Sequence, residues 1–327
     1  MSAPLRVAFS DFWEGFVPEH SALFHALVDV APAEIVPAAD AELLLFSDFG
    51  SQHVGFVGTK LHYTGENTRP PWRSADFFIG HDFVADARYL RLPYFVVEEL
   101  VARMWGYEPP VVDDAGWPGR EFCLFLVSHP TPERAAVFEE LSRYRAVTSP
   151  GSFLRNCEVP ELGDRTGNWR RKKLEYQTRF RFTVAFENSA HPGYTTEKIY
   201  DALLARSIPI YWGNSRISQD VHPDCFIDAA AFPDFASLVA RVAEVDRDPA
   251  LAESYLARRG FLVRSVDDHA ADLARFLERV IEHTRVADRG AHRRRAVDVT
   301  SRHLLGKVRR VGPGLRRRIS RGAPGTS

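Results

Sequence analysis

The sequence predicts an α/β protein with two Rossmann-sized cores. Three observations carry this. Short apolar, β-branched runs bounded by turn residues recur along the chain. One stretch, 182–213, packs two such runs around a helical segment, which implies a βαβ unit with parallel pairing. At 327 residues and 45% hydrophobic, the chain is long and apolar enough for two cores.

In the first half, residues 5–9 form a strand, followed by Asp11-Phe12-Trp13 at its carboxyl end. Residues 21–28 have helical spacing, and 43–46 is a run suited to a buried parallel strand. Residues 60–63 are a strand that leads into Thr64-Gly65-Glu66-Asn67, and 77–80 and 88–92 are further strands. Turn-rich residues Pro109-Pro110, Asp113-Asp114 and Trp117-Pro118-Gly119 mark a linker. The first domain is therefore 1–119.

The second domain, 120–266, opens with a strand at 122–127 and the loop Ser128-His129-Pro130-Thr131-Pro132. A helix at 133–143 carries Arg134 in its first turn, and a strand begins at 146–147. Residues 165–173 are basic and read as a mobile surface segment. Strands at 182–186 and 208–212 flank a helix at 195–206. A strand at 225–228 and helices at 235–245, 251–261 and 268–285 follow.

The loop 187–194 lies at a strand's carboxyl end and enters a helix N-terminus, where α/β proteins bind ligands and anions are favoured. Gly193 permits a sharp turn, and Thr195 or Thr196 is placed to cap the helix. Glu197 suits the first turn, whereas Lys198 opposes the helix dipole and needs an anionic neighbour. A ligand phosphate and a solvated lysine both remain open for it.

The run FENSAHPGYTTEKIYDALLARSIPIYWG closely resembles the signature of the α-1,3-fucosyltransferases, glycosyltransferase family 10, in bacterial form. The pieces FEN, GY-T-TEK and IPIYWG stand in order and at family spacing. The resemblance implies a GT-B fold, a GDP-fucose donor and inverting transfer to an oligosaccharide acceptor containing N-acetylglucosamine, in surface glycan or lipopolysaccharide synthesis. It implies donor contacts from Asn188, Tyr194, Glu197 and Lys198, with Glu197 stabilising charge at the anomeric carbon. Arg134, in SHPTPERAAVFEEL, matches the family's donor-binding arginine, although His129 stands where many relatives have asparagine. Arg155, in GSFLRN, is a second-choice phosphate ligand.

Glu66, in YTGEN, matches the segment carrying the family's proposed general base. A carboxylate can take a proton from an acceptor hydroxyl, and the alternative for Glu66 is an ordinary turn residue. The resemblance also implies that helix 267–286 crosses back to the first domain, and that no metal or other cofactor is needed. Asp246-Arg247-Asp248 before Pro249 reads as a turn. His191 is left unassigned, as a solvent-facing loop residue.

Three scattered cysteines read as reduced thiols. The opening residues do not read as a signal peptide, and no run approaches the ~20 apolar residues of a spanning helix. From Arg285 onward there are thirteen Lys and Arg against two Asp, which leaves −12 for the rest of a chain of net charge −1. Within this tail, 287–327, Leu304, Val308, Val311, Leu315 and Ile319 fall at steps of three and four. The pattern fits an interfacial helix on anionic lipid, interrupted at Gly312-Pro313-Gly314, or a solvated tail. The anchor reading places a cytoplasmic enzyme at the inner membrane face. Two rival functions stand beside it: a transferase of the same fold using another nucleotide sugar, and a nucleic-acid binder acting through the tail. The acidic body speaks against the second.

Overall fold

The computed structural model describes residues 3–108, 116–163, 169–258 and 260–287. They form two compact units. One contains residues up to Ile79, Asp86–Leu90 and the final helix from Ala274. The other contains Gly80–Ala85 and Arg91–Leu273. The sequence instead places a boundary at the turn-rich stretch ending at 119. Most of that stretch lies outside the described residues, and so does the basic tail.

The first unit is built on a six-stranded sheet. Its strands are β1 (Leu5–Ser10), β2 (Ala33–Ile35), β3 (Leu43–Phe46), β4 (Thr59–Tyr63), β5 (Phe77–Gly80) and β6 (Tyr89–Arg91), in the order β2-β1-β3-β4-β5-β6. β1 pairs in parallel with β2 and β3, β3 with β4, and β4 with β5. Every residue of β3, β4 and β5 is buried, as apolar runs in a parallel sheet require. Helix α1 (Ala22–Val30) is capped by the Ser21 hydroxyl, which accepts from the Leu23 amide.

The second unit begins with α2 (Tyr94–Met104) and the short α3 (Gly116–Gly119). Then come β7 (Glu121–Leu124), α4 (Pro132–Tyr144), β8 (Val147–Thr148), α5 (Trp169–Gln177), β9 (Phe180–Phe186), α6 (Glu197–Leu204), β10 (Ile208–Trp212) and β11 (Ile227–Asp228). Helices α7 (Phe235–Arg247) and α8 (Pro249–Leu256) follow, and α9 (Val266–Val286) starts in this unit. The five-stranded sheet is parallel at every pair, in the order β11-β10-β9-β7-β8. Its core joins Phe122, Phe182, Val184, Ile208 and Ile210 to Leu238 and Val242. Each such side chain contributes about 1.5–3 kcal/mol on burial. The strand order reverses between β7 and β9. In an open parallel sheet this reversal opens a crevice at the carboxyl ends of the two strands.

Two expectations are corrected, and one helix is added. The segment 165–173 is not a surface strip where it is described. Residues 169–173 lie in α5, and Lys173 is buried in an ion pair with Asp201 at 2.7 Å. The helix at 195–206 is shorter, Glu197–Leu204, and neither threonine caps it with its side chain. Helix α2, which sequence reading left out, packs on α6 through Phe95 stacked on Tyr200 at 5.2 Å.

Candidate active site

The crevice between β7 and β9 is bridged by Arg134. Thr131 caps α4 and places Arg134 in its first turn, where the side chain is only 1% exposed. Its Nη1 donates to His129 O (2.9 Å) and its Nη2 to Phe186 O (2.5 Å) and Asn188 Oδ1 (2.9 Å). One guanidinium thus ties the loop after β7 to the end of β9. Among the described residues no carboxylate pairs with it, and its buried Nε has no hydrogen-bond partner. Burial pushes its pKa down against the attraction of Glu187 and Glu197. A buried cation held by neutral oxygens is a receptor for an anion.

At the end of β9 stands Glu187, fully buried. Its Oε1 accepts from the Thr196 amide (2.7 Å), and its Oε2 from the Thr196 hydroxyl (2.7 Å) and Lys198 Nζ (3.1 Å). This carboxylate takes the amide of the N-cap residue Thr196, at the helix end where negative charge is favoured, and leaves the first-turn amides that Thr195 or Thr196 were expected to cap. Gly213 makes room for it, since a Cβ there would lie 2.5 Å from Glu187 Cγ.

Lys198 is thus half-buried and already has an anionic neighbour inside the fold. Its Nζ donates to Glu187 and to Thr196 Oγ1 (2.9 Å), which uses two of three donors, and Glu197 lies 3.7 Å away. Burial opposes its charge, but Glu187 and Glu197 raise its pKa. Glu197 is the reverse case. Burial pushes it up, Lys198 and Lys173 outweigh this, and it is held at about 2.

A pocket of about 200 Å³ opens beside these groups, with Glu187 behind its wall. Ser128, His129, Arg134 and Asn188 stand along it, with Glu197 and Lys198, and Trp169, Lys173 and Gln177 of α5 add further wall. Four of the proposed donor residues, Arg134, Asn188, Glu197 and Lys198, are brought together. Tyr194 is buried nearby, edge-on to His81 at 4.9 Å. Arg155 is not brought in: it is half-exposed and donates to Cys157 O (3.2 Å). His191, expected to face solvent, pairs with Asp82 at 2.8 Å. Sequence reading missed Glu187 and Lys173. The spacing of Trp169, Lys173 and Tyr176 at steps of four and three was the available signal for α5.

Gly193 makes the sharp turn at φ +99°, where a Cβ would strike His81 O at 2.1 Å. Asp248 caps α8, as the turn reading requires, but Asp246 ends α7 and pairs with Arg145 and Arg181, each at 2.9 Å. Among the described residues no three His, Cys, Asp or Glu are grouped as metal ligands, and no helix is long and apolar enough to cross a membrane.

Glu66 lies in the other unit, exposed on the loop after β4. Asp48 organises that loop. It accepts from Thr64 Oγ1 (2.5 Å) and Thr68 Oγ1 (3.1 Å), with His62 Nε2 at 3.1 Å from its other oxygen. Thr64 Oγ1 in turn accepts from the Glu66 amide at 3.0 Å.

Comparison with known proteins bears on the fold and the family. Residues 120–285 match the model of the glycosyltransferase family 10 (fucosyltransferase) C-terminal region, and residues 7–98 match that of the alpha-(1,3)-fucosyltransferase FucT N-terminal domain. The alpha-(1,3)-fucosyltransferase FucT of Helicobacter pylori is 31% identical over 54% of this chain and 42% of its own. Human alpha-(1,3)-fucosyltransferase 4 is 32% identical over 48% of this chain and 28% of its own. The chain spans less than half the length of these curated relatives. A mimivirus protein also matches, so the relatives do not single out a bacterial form. A crystal structure of alpha1,3-fucosyltransferase superposes with a TM-score of 0.71 at 22% identity, covering 85% of this chain and 90% of that one. The complex of alpha1,3-fucosyltransferase with GDP-fucose gives 0.69 at 23%. That likeness establishes the fold, two parallel-sheet α/β units of the GT-B type. With matches across both units, the chain belongs to glycosyltransferase family 10.

Proposed function

We propose that the chain is an inverting α-1,3-fucosyltransferase that takes fucose from GDP-fucose. The observation that carries this reading is Arg134, a buried guanidinium at the strand-order reversal with no carboxylate of its own. A nucleoside diphosphate supplies the missing charge, and the third donor of Lys198 adds to it. Asn188 and Tyr194 hold the nucleotide, and Glu197, ionised, faces positive charge developing at the anomeric carbon.

In the reaction, an acceptor hydroxyl oxygen forms a bond to the anomeric carbon while the carbon–oxygen bond to the β-phosphate breaks. GDP leaves with the electron pair, and Glu66 takes the hydroxyl proton. The acceptor is an N-acetylglucosamine-containing glycan of the surface or lipopolysaccharide type. The tail from 287 onward holds the enzyme on an anionic membrane face, a reading that rests on sequence alone.

The test is incubation with GDP-fucose and other nucleotide sugars, with chelator present, over a small acceptor panel, followed by linkage analysis. Transfer from GDP-fucose in chelator is expected, and transfer only from another donor, or only with metal, defeats the reading. Glu66→Ala is expected to lower turnover by about 10²–10⁴-fold while GDP binding, by calorimetry, stays as it was. Salt-sensitive flotation with anionic vesicles, lost on truncation near Arg285, tests the tail.

A further inference from the structure

Lys198 stands where a cation is least at home: on the second residue of α6, facing the positive end of the helix dipole, and largely out of solvent. A lysine so placed with no partner gives up its proton readily, because burial disfavours the charged form. Glu187 is arranged against this outcome. It is fully buried, it spends both oxygens on Thr196 and Lys198, and Gly213 leaves the space its methylenes fill. The Thr196 hydroxyl closes the arrangement, accepting from Lys198 and donating to Glu187.

We propose that Glu187 is a positioning residue for Lys198: its carboxylate fixes the ammonium at the start of α6 and keeps it a cation for the diphosphate of the donor. The inference rests on the reading of Lys198 as a diphosphate ligand. Glu187 itself has no part facing the pocket, so it acts through Lys198 and not on the donor.

The groups facing Lys198 come from every neighbouring element. Glu187, the residue after β9, Glu197 of α6 and Tyr194 of the loop between them act on its charge, and Lys173 of α5 and Arg134 of α4 line the same pocket. Glu187 is the largest of the influences that keep Lys198 protonated, ahead of Glu197 and Tyr194. Lys173 is occupied by Asp201 and sets its charge against Glu197. Removing the Glu187 charge leaves Glu197, 3.7 Å away and shared with Lys173, as the nearest remaining carboxylate.

The experiment is calorimetric titration of GDP into the full chain between about pH 7 and about pH 9.5, a span that brackets a lysine whose pKa has been lowered. The wild type is expected to change affinity by less than about threefold across it, because Lys198 stays charged. Glu187→Gln is expected to lose about tenfold for each pH unit above the new lysine pKa. Adding Lys198→Arg to Glu187→Gln restores a flat profile, since a guanidinium does not titrate in this range. Loss of a merely structural contact would weaken binding equally at every pH, and arginine would not repair it. Glu187→Asp keeps the charge but withdraws the oxygens by one methylene. It gives a flat profile at several-fold weaker affinity, and serves if Glu187→Gln does not fold. A Glu187→Gln profile as flat as wild type, or wild-type affinity in Glu187→Asp, overturns the inference. If Lys198→Ala binds GDP as wild type does, the diphosphate reading of Lys198 itself fails; a weakened Lys198→Ala beside a flat Glu187→Gln removes the Glu187 inference alone.

Discussion

Arg134 and Arg170 are arginines of the same unit, each turned inward from the first turn of a helix, and they are held in opposite ways. Arg170 reaches Asp201 with Nη2 at 2.9 Å and Nε at 3.2 Å, and Glu98 and Glu99 of α2 lie within 4 Å. Burial opposes its charge, yet Asp201 and Glu98 raise its pKa. Arg134 is more deeply buried, meets only carbonyl and amide oxygens, and is pushed down. The first arrangement is closed: the guanidinium has its carboxylates inside the fold, and α2, α5 and α6 are tied together by it. The second is open and costs the fold stability unless an anion completes it. An unanswered buried charge at a strand-order reversal is thus a stronger sign of a ligand than a buried charge alone.

The comparison breaks most visibly at Arg170. Arg170→Met removes one partner of a buried network and leaves Asp201 with Lys173 only. The expected loss is about 3–5 kcal/mol of folding stability, read as a shift in the urea midpoint. A midpoint unchanged from wild type would show that the network is not a structural one. Arg134→Met should act on binding more than on stability. It takes away an unpaired buried charge but leaves the Phe186 carbonyl without its donor, so the melting temperature should fall far less than in Arg170→Met. GDP affinity should fall by about 2–4 kcal/mol, measured by calorimetry. A large drop in melting temperature with GDP binding intact would make Arg134 a structural residue.

Much of this was legible beforehand, and the reason is local chemistry. Leu43–Phe46, Phe77–Gly80 and Ile208–Trp212 stand as strands at the bounds their apolar runs and turn residues predict. Arg134 was visible because SHPTPERAAVFEEL resembles the family's donor-binding segment and sets the arginine in the first turn of a helix that follows a strand-end loop. Glu187 was not, because its meaning is tertiary: a glutamate after an apolar strand reads as a turn residue until Thr196, Lys198 and Gly213 close around it. Helix α5 was hidden by Arg170, Arg171, Lys172 and Lys173, a charge run that composition assigns to solvent. Only the buried Asp201, 28 positions beyond Lys173, gives Lys173 a reason to turn inward.

Glu197 sharpens the comparison through pH. It is held at about 2, with burial overcome by Lys198 and Lys173, whereas the carboxyl's ordinary value is 4.5. A depressed carboxyl contributes stability that is complete above its unfolded value and lost as pH falls toward the folded one. The wild type should therefore lose stability between pH 4.5 and about 2. Glu197→Gln should lose less over that window, as seen in melting temperatures across it. Equal slopes would mean that Glu197 is not held by those lysines.

The smallest effect is expected at Arg155, and its smallness is the point. Arg155 follows β8, which lies at the edge of the sheet, whereas the reversal lies between β7 and β9. Its side chain is 50% exposed, its Nε donates to Cys157 O at 3.2 Å, and Glu158 stands 3.9 Å away. An exposed guanidinium among exposed partners has solvent as its counter-charge, so it has no call on a phosphate and contributes about 0–1 kcal/mol wherever it sits. Arg155→Ala should change GDP affinity by less than about twofold, where Arg134→Met changes it by orders of magnitude. A loss at Arg155 comparable to that at Arg134 would mean that the loop after β8 reaches the nucleotide. Burial and an unanswered charge would then no longer separate a binding arginine from a surface one.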